Sequence, residues 1–170
     1  RSNMKKVNIA VLGATGAVGR EMLKVLQERN FPINQIKALA SARSAGLELP
    51  FGDGTLRVEE ATSDSFAGMD IVLGAASADL ARQLAPAITA AGAVFVDNSS
   101  AFRMIEEVPL VVPEINPEDV QKHHGIISNP NCSTIITLTA VAALNRVSPI
   151  ESMVASTYQA VSGAGAGGLT

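Results

Sequence analysis

"KVNIAVLGATGAVG", residues 6–19, decides the fold of this chain. Its first part, residues 6–13, is a continuous apolar run that ends at a glycine, which is typical of a strand buried on both faces of a parallel sheet. Residues 17–30 follow with apolar side chains at helical spacing, and Pro32 ends that stretch. A buried strand, a glycine-rich turn and an amphipathic helix predict the opening βα unit of a parallel sheet.

Strand-like and helix-like segments alternate through most of the chain. Strands are predicted at residues 36–41, 56–62, 69–77, 93–100 and 125–131, and helices at 78–92, 117–125 and 132–147. Pro86 predicts a kink or a restart in the helix that contains it. This order predicts an α/β fold with a Rossmann-like, doubly wound, mostly parallel sheet.

The end of the sequence predicts a second domain. Residues 152–163 alternate like a strand, and a strand needs sheet partners. We expect residues 4–130 to form the first domain and 131–170 to begin a second, α+β domain, inside which the chain ends. Residues 1–3 are interpreted as a cloning scar.

Composition excludes several classes of function. The chain has 170 residues, of which 47% are hydrophobic and 17% charged, as in a globular protein. The net charge is −3 and no dense basic run is present, which argues against nucleic acid as the main partner. No apolar run is long enough for a membrane span or a secretory signal, and the single cysteine suits the reducing cytoplasm.

The turn after the first strand predicts a dinucleotide site. Gly13, Gly16 and Gly19 have GxxGxxG spacing. One glycine allows the tight turn, one lets the backbone approach a pyrophosphate, and one lets the helix pack on the strand. The N–H groups and dipole at the helix N-terminus then hold the phosphates. The alternative is an ordinary glycine-rich βα turn.

The segment after the second strand indicates which dinucleotide binds. NAD-binding sheets commonly carry an acidic residue there, about 20 residues beyond the glycines. Here the strand leads into "SARSAG", residues 41–46, which has no acid. Arg43, Ser41 and Ser44 would bind a 2′-phosphate that a carboxylate would repel, and this favours NADP. The alternative for Arg43 is a solvated loop charge.

Cys132 is a candidate nucleophile. It follows Asn131 and precedes a long apolar helix, whose N-terminus stabilises a thiolate and offers N–H groups to an oxyanion. Asn131 either caps the helix or donates its amide to that oxyanion. The alternative is a partly buried structural cysteine. His123 and His124 precede the strand predicted at 125–131 and are predicted to be surface residues, so no general base is identified. The carboxylates show no metal-ligand spacing, and no metal is predicted.

Six segments resemble aspartate-semialdehyde dehydrogenases, in the order found in that family. They are "GATGAVG" (13–19), "SARSAG" (41–46), "DNSSAFR" (97–103), "VVPEIN" (111–116), "NPNCSTI" (129–135) and "TYQAVSGAG" (157–165). The resemblance implies reduction of L-aspartyl 4-phosphate by NADPH to aspartate semialdehyde and phosphate, in the biosynthesis of lysine, threonine, methionine and diaminopimelate. It also implies a cytoplasmic homo-oligomer, typically a homodimer.

The resemblance assigns roles to individual residues. It implies that Cys132 forms an acyl-thioester, that Gln159 helps to hold the intermediate, and that Arg103 binds the substrate's phosphate with Asn131 nearby. The implied cofactor contacts are Thr15, Gly16, Ala17 and Val18 at the phosphates, Arg43 and Ser44 at the 2′-phosphate, and Ser162 and Gly163 near the nicotinamide.

The resemblance also has limits. Members are roughly twice this length, and their acid–base histidine lies in the second half. We therefore expect the isolated chain to bind NADP without turnover. N-acetyl-γ-glutamyl-phosphate reductase is an alternative, but it typically has glycine where Asn131 stands; glyceraldehyde-3-phosphate dehydrogenase favours NAD and an acid after the second strand. A non-catalytic NADP-binding module is another alternative, which Cys132 would distinguish.

Overall fold

A computed structural model describes residues 5–159 of the chain. Seven strands form one sheet in the order β3-β4-β2-β1-β5-β6-β7. Neighbouring strands are parallel except β3 and β4, which form an antiparallel hairpin. The strands are β1 (Val7–Leu12), β2 (Ile33–Ala40), β3 (Glu48–Phe51), β4 (Gly54–Glu60), β5 (Ile71–Gly74), β6 (Val94–Asp97) and β7 (Ile126–Ser128). The predicted Rossmann-like α/β fold is confirmed.

Two of the three described α-helices cover the sheet, one on each face. The α-helices are α1 (Ala17–Glu28), α2 (Ala78–Ala90) and α3 (Cys132–Val147). Successive residues of β1 point to opposite faces, so Ile9 and Val11 join the core under α1 while Ala10 and Leu12 join the core under α2. Burial on both faces explains why β1 is apolar from Ile9 to Leu12.

The strand order reverses between β1 and β5. From β1 the chain first builds outward through β2 and β4, and then returns to add β5, β6 and β7 on the other side. Leu12, Gly74, Asp97 and Ser128 lie side by side in register at the carboxyl ends of these four parallel strands. In open α/β sheets, ligands bind outside the carboxyl ends at such a reversal.

Several predictions of local structure need correction. The hairpin strand β3 was not predicted, because Pro50 interrupts its pattern; at an edge the missing N–H costs nothing. Helix α2 runs unbroken through Pro86, so the predicted restart is wrong. The predicted helix at 117–125 is a 3₁₀ helix, Pro117–Lys122.

The predicted strand at 152–163 is not formed over the residues described. Residues 152–159 pair with no strand and are exposed, and residues 160–163 lie outside the described part. An isolated extended segment gains no ladder hydrogen bonds, so its alternating sequence does not make it a strand.

Helix α3 forms as predicted, but none of its residues is buried. Ile136 is 72% exposed, and Leu144 and Val147 are exposed as well. Within residues 5–159, no helix has the length and apolarity needed to cross a membrane.

Candidate functional site

Two of the three loop glycines are required by close backbone packing. A Cβ on Gly13, whose φ is +85°, would lie 2.5 Å from the carbonyl oxygen of Ala75 in the neighbouring β5–α2 turn. A Cβ on Gly19 would lie 2.2 Å from the carbonyl oxygen of Gly13. A Cβ on Gly16 would meet nothing nearer than 3.4 Å. The outer glycines therefore seat the helix against the sheet, while Gly16 stays at the open tip of the turn.

The tip of this turn is suited to an anion. Gly16 caps α1 without a side-chain hydrogen bond, and it is exposed together with Ala17 and Val18. First-turn N–H groups have no partner within their own helix, and the dipole adds positive potential. The Nε of Arg20 donates to the carbonyl oxygen of Thr15 at 3.0 Å and so ties the turn to the helix. The arrangement fits the diphosphate of a dinucleotide.

The residues proposed for the 2′-phosphate follow β2. A 3₁₀ turn, Ala42–Ser44, begins two residues after that strand, with Ser41 and Arg43 exposed and Ser44 half-buried. Because β2 pairs with β1, this turn lies beside the glycine turn, at the same edge of the sheet. A basic residue and two hydroxyls stand where an NAD site has a carboxylate.

Cys132 is the first residue of α3 and is exposed. The Oδ1 of Asn131 accepts a hydrogen bond from the backbone N–H of Ser133 at 3.0 Å, so Asn131 caps the helix. The Nε2 of Gln159 donates to the Sγ of Cys132 at 3.3 Å. Among the described residues the thiol is therefore exposed, and its polar partner comes from a distant part of the chain.

The thiol and the glycine turn lie at one edge of the sheet. Cys132 comes four residues after the end of β7, and Gly13 directly after the end of β1. These strands are parallel and three positions apart, so their carboxyl ends are separated by roughly 14 Å. His123 and His124 precede β7 and lie towards its opposite end. His124 is exposed, as predicted, whereas His123 is half-buried and its Nδ1 accepts from the backbone N–H of Gly125 at 2.9 Å.

Arg103 connects the loops that follow β6 and β7. Its Nε donates to the carbonyl oxygen of Asn129 at 2.8 Å, and its Nη2 donates to the carbonyl oxygen of Asn98 at 3.0 Å. A guanidinium has five N–H donors, so three remain beyond these two bonds. These donors, on Nη1 and Nη2, form an edge that fits a phosphate bidentately.

Sequence reasoning missed the polar residues that hold this arrangement. Asn129 donates its backbone N–H to the carbonyl oxygen of Asp97 and its Nδ2 to the Oδ1 of Asn98, and Arg20 bonds the glycine turn. A polar run directly after a buried strand was the signal that could have found them. The expected cofactor contacts Ser162 and Gly163 lie outside the described residues. Residues 5–159 contain no group of three His, Cys, Asp or Glu side chains placed to bind a metal.

Comparisons with known proteins show what this chain is similar to. Aspartate-semialdehyde dehydrogenase of Synechocystis sp. is 53% identical over 160 residues, which are 94% of this chain and 47% of that protein. A crystal structure of aspartate semialdehyde dehydrogenase II of Vibrio cholerae, complexed with ASA, has a TM-score of 0.91 and 43% identity, covering 98% of this chain and 50% of that one. The enzyme of Candida albicans, solved with NADP, has a TM-score of 0.72 and 28% identity, covering 86% of this chain and 48% of that one.

This chain thus spans about half the length of the curated relatives it matches. Its residues 8–123 match the family described as "Semialdehyde dehydrogenase, NAD binding domain". The chain belongs to the semialdehyde dehydrogenase family, and its relatives from Synechocystis, Vibrio cholerae and Candida albicans are aspartate-semialdehyde dehydrogenases.

Proposed function

We propose that this chain supplies the cofactor site and the nucleophile for the NADPH-dependent conversion of L-aspartyl 4-phosphate to aspartate 4-semialdehyde and phosphate. The relatives are named aspartate-semialdehyde dehydrogenases, and the Vibrio cholerae relative was solved with ASA. Because the chain spans half of their length, the activity is proposed for a protein that contains these residues and has the relatives' length. That protein is called the long form below.

One observation carries the proposal. The chain's single cysteine is exposed at the start of a helix, hydrogen-bonded to Gln159, at the edge of the sheet where the glycine turn opens. A non-catalytic NADP-binding module needs the glycine turn but has no use for this thiol. The site therefore favours covalent chemistry at Cys132 over binding alone.

The proposed mechanism begins with attack of the Cys132 thiolate on the carbonyl carbon of the acyl phosphate. The C–O bond to phosphate breaks, phosphate leaves with the electron pair, and a thioester remains on Sγ. First-turn N–H groups of α3 stabilise the oxyanion, and Gln159 holds the reacting sulfur. NADPH, when bound, supplies the hydride that converts the thioester to the aldehyde and frees the thiolate.

Two anion sites complete the proposal. Arg103, with Asn131 nearby, binds the phosphate that leaves. The cofactor is NADP rather than NAD, held by Gly13, Thr15, Gly16, Ala17, Val18 and Gly19 at the diphosphate, by Ser41, Arg43 and Ser44 at the 2′-phosphate, and by Ser162 and Gly163 near the nicotinamide. The absence of a carboxylate directly after β2 and the relative solved with NADP support this choice.

We further propose that the long form is a cytoplasmic homo-oligomer. Sedimentation of the long form would test its oligomeric state.

Replacing the nucleophile tests the function. In the long form, Cys132→Ser keeps the side chain's shape but should lower phosphate-dependent oxidation of aspartate semialdehyde roughly a thousandfold or more. NADPH binding, followed by its fluorescence, should stay within about twofold, because the thiol is not part of the phosphate sites. Turnover that survives the substitution would overturn the thioester mechanism. A long form that binds NADPH but has no turnover with Cys132 intact would instead favour the binding-module alternative.

A further inference from the structure

Asp97 is a buried carboxylate that the mechanism above does not use. It ends β6 and is fully buried, the one charged side chain among the described residues of which this is true. Its Oδ2 accepts from the Oγ of Ser99 at 2.6 Å and its Oδ1 from the backbone N–H of Ser99 at 3.2 Å. Burying a charge is costly unless hydrogen bonds compensate, so these bonds fix the Asp97–Ser99 geometry firmly.

Ser99 passes this constraint along the loop. Its Oγ also accepts from the backbone N–H of Ala101 at 3.1 Å. The next residue, Phe102, is buried and packs edge-on against Phe95, with 6.2 Å between ring centroids. The loop between β6 and Arg103 is therefore fixed by a carboxylate at one end and by an aromatic contact at the other.

Gly74 makes the room that Asp97 occupies. It lies beside Asp97 in the sheet, and a Cβ added to it would lie 2.8 Å from the Oδ1 of Asp97 and 2.7 Å from the ring of Phe95. Contacts this short are not seen for real Cβ atoms, so β5 accommodates the carboxylate only because it ends in glycine.

The backbone of Asp97 is tied to the segment before the nucleophile. Its carbonyl oxygen accepts from the backbone N–H of Asn129 at 2.8 Å, and the carbonyl oxygen of Asn129 accepts from Arg103. The guanidinium also closes the loop on Asn98. One edge of the Arg103 guanidinium is thus held by backbone carbonyl oxygens, and one of them belongs to Asn129, three residues before Cys132. The other edge keeps N–H donors for an anion.

We propose that Asp97 is a positioning residue that, through Ser99, holds the Arg103 guanidinium where it binds the phosphate released from the substrate. This rests on the proposed function, because it assigns a partner to the phosphate site named there. Asp97 itself touches neither substrate nor cofactor.

The test compares kinetic constants for phosphate and for NADP in the long form. Asp97→Asn keeps the volume but replaces an acceptor with a donor facing Ser99. It should raise the KM for phosphate roughly tenfold or more, with the KM for NADP unchanged, because a misplaced guanidinium binds the anion poorly. Ser99→Ala should do the same and Ser99→Thr, which keeps the hydroxyl, should restore the wild-type value. Asp70→Asn is the control, since its Oδ2 accepts from the backbone N–H of Asn8 at the opposite end of the strands.

The outcomes separate the two proposals. If the unmodified long form works and Asp97→Asn or Ser99→Ala leaves the KM for phosphate unchanged, or moves both constants together, the positioning role is wrong and the proposed function stands. If the long form has no phosphate-dependent activity, the proposed function fails. The positioning role is then decided by whether inorganic phosphate raises the Tm of the 170-residue chain and Asp97→Asn abolishes that rise. If Asp97→Asn does not fold, the Ser99→Ala and Ser99→Thr pair decides.

Discussion

At the scale of single residues, the site depends on the position of each side chain in the fold as well as on its type. Cys132 is exposed because α3 begins there, and Asn131 holds that beginning through the N–H of Ser133. The sequence predicted that a helix begins at Cys132, but it left open whether the thiol is exposed or partly buried. The hydrogen bond from Gln159 was not predictable, because 27 positions of chain separate the two residues and only the fold brings them together.

Arg43 tests the cofactor preference at this scale. In the 170-residue chain, Arg43→Asp should lower the ratio of NADP to NAD affinity by about ten- to a hundredfold, since it replaces a charge-assisted hydrogen bond with repulsion. Titrations of both dinucleotides would measure the ratio, and Arg29→Asp, at the far end of α1, is the matched control. An unchanged ratio would remove Arg43 from the 2′-phosphate site.

At the scale of elements, the buried strands and the edge strand β7 were predicted, and only the edge strand β3 was missed. β1 and β5 are apolar because both of their faces are covered, so their sequences identify them. The β3–β4 hairpin lies at the sheet edge, where an exposed strand can contain Pro50 and lose its pattern. Residues 152–159 show the converse, because a strand-like pattern without a partner forms no strand.

The close packing of α1 against the turn after β1 gives a prediction about stability. In the 170-residue chain, Gly19→Ala should lower the free energy of unfolding by about 1–3 kcal/mol, because the new Cβ would meet the backbone of Gly13 at 2.2 Å. Gly54→Ala is the control, since no atom lies within 4 Å of its added Cβ, and its effect should stay within about 0.5 kcal/mol. Chemical denaturation measures the free energy of unfolding of both variants. Equal effects would mean that the close approach of Gly19 to Gly13 does not contribute to stability.

At the scale of the whole molecule, the sheet brings the glycine turn and the Cys132 thiol to one edge. The glycine turn and the thiol are predictable as separate motifs, and their common edge follows once both strands are known to be parallel. The hydrogen bonds from Arg103 to Asn98 and Asn129 were not predictable. They join the loops after two different strands through backbone carbonyl oxygens, which carry no sequence signal. The proposed function requires that sulfur and nicotinamide act together at this edge.

Trapping the intermediate tests this joint action most directly. The long form is mixed with aspartate semialdehyde and NADP without phosphate, quenched in acid, and its peptides are weighed by mass spectrometry. Oxidation of the hemithioacetal should leave an aspartyl thioester on Cys132 and an equal amount of NADPH, because no phosphate is present to release the acyl group. NADPH formed while Cys132 stays unmodified, or an acyl group on another residue, would contradict the proposed chemistry.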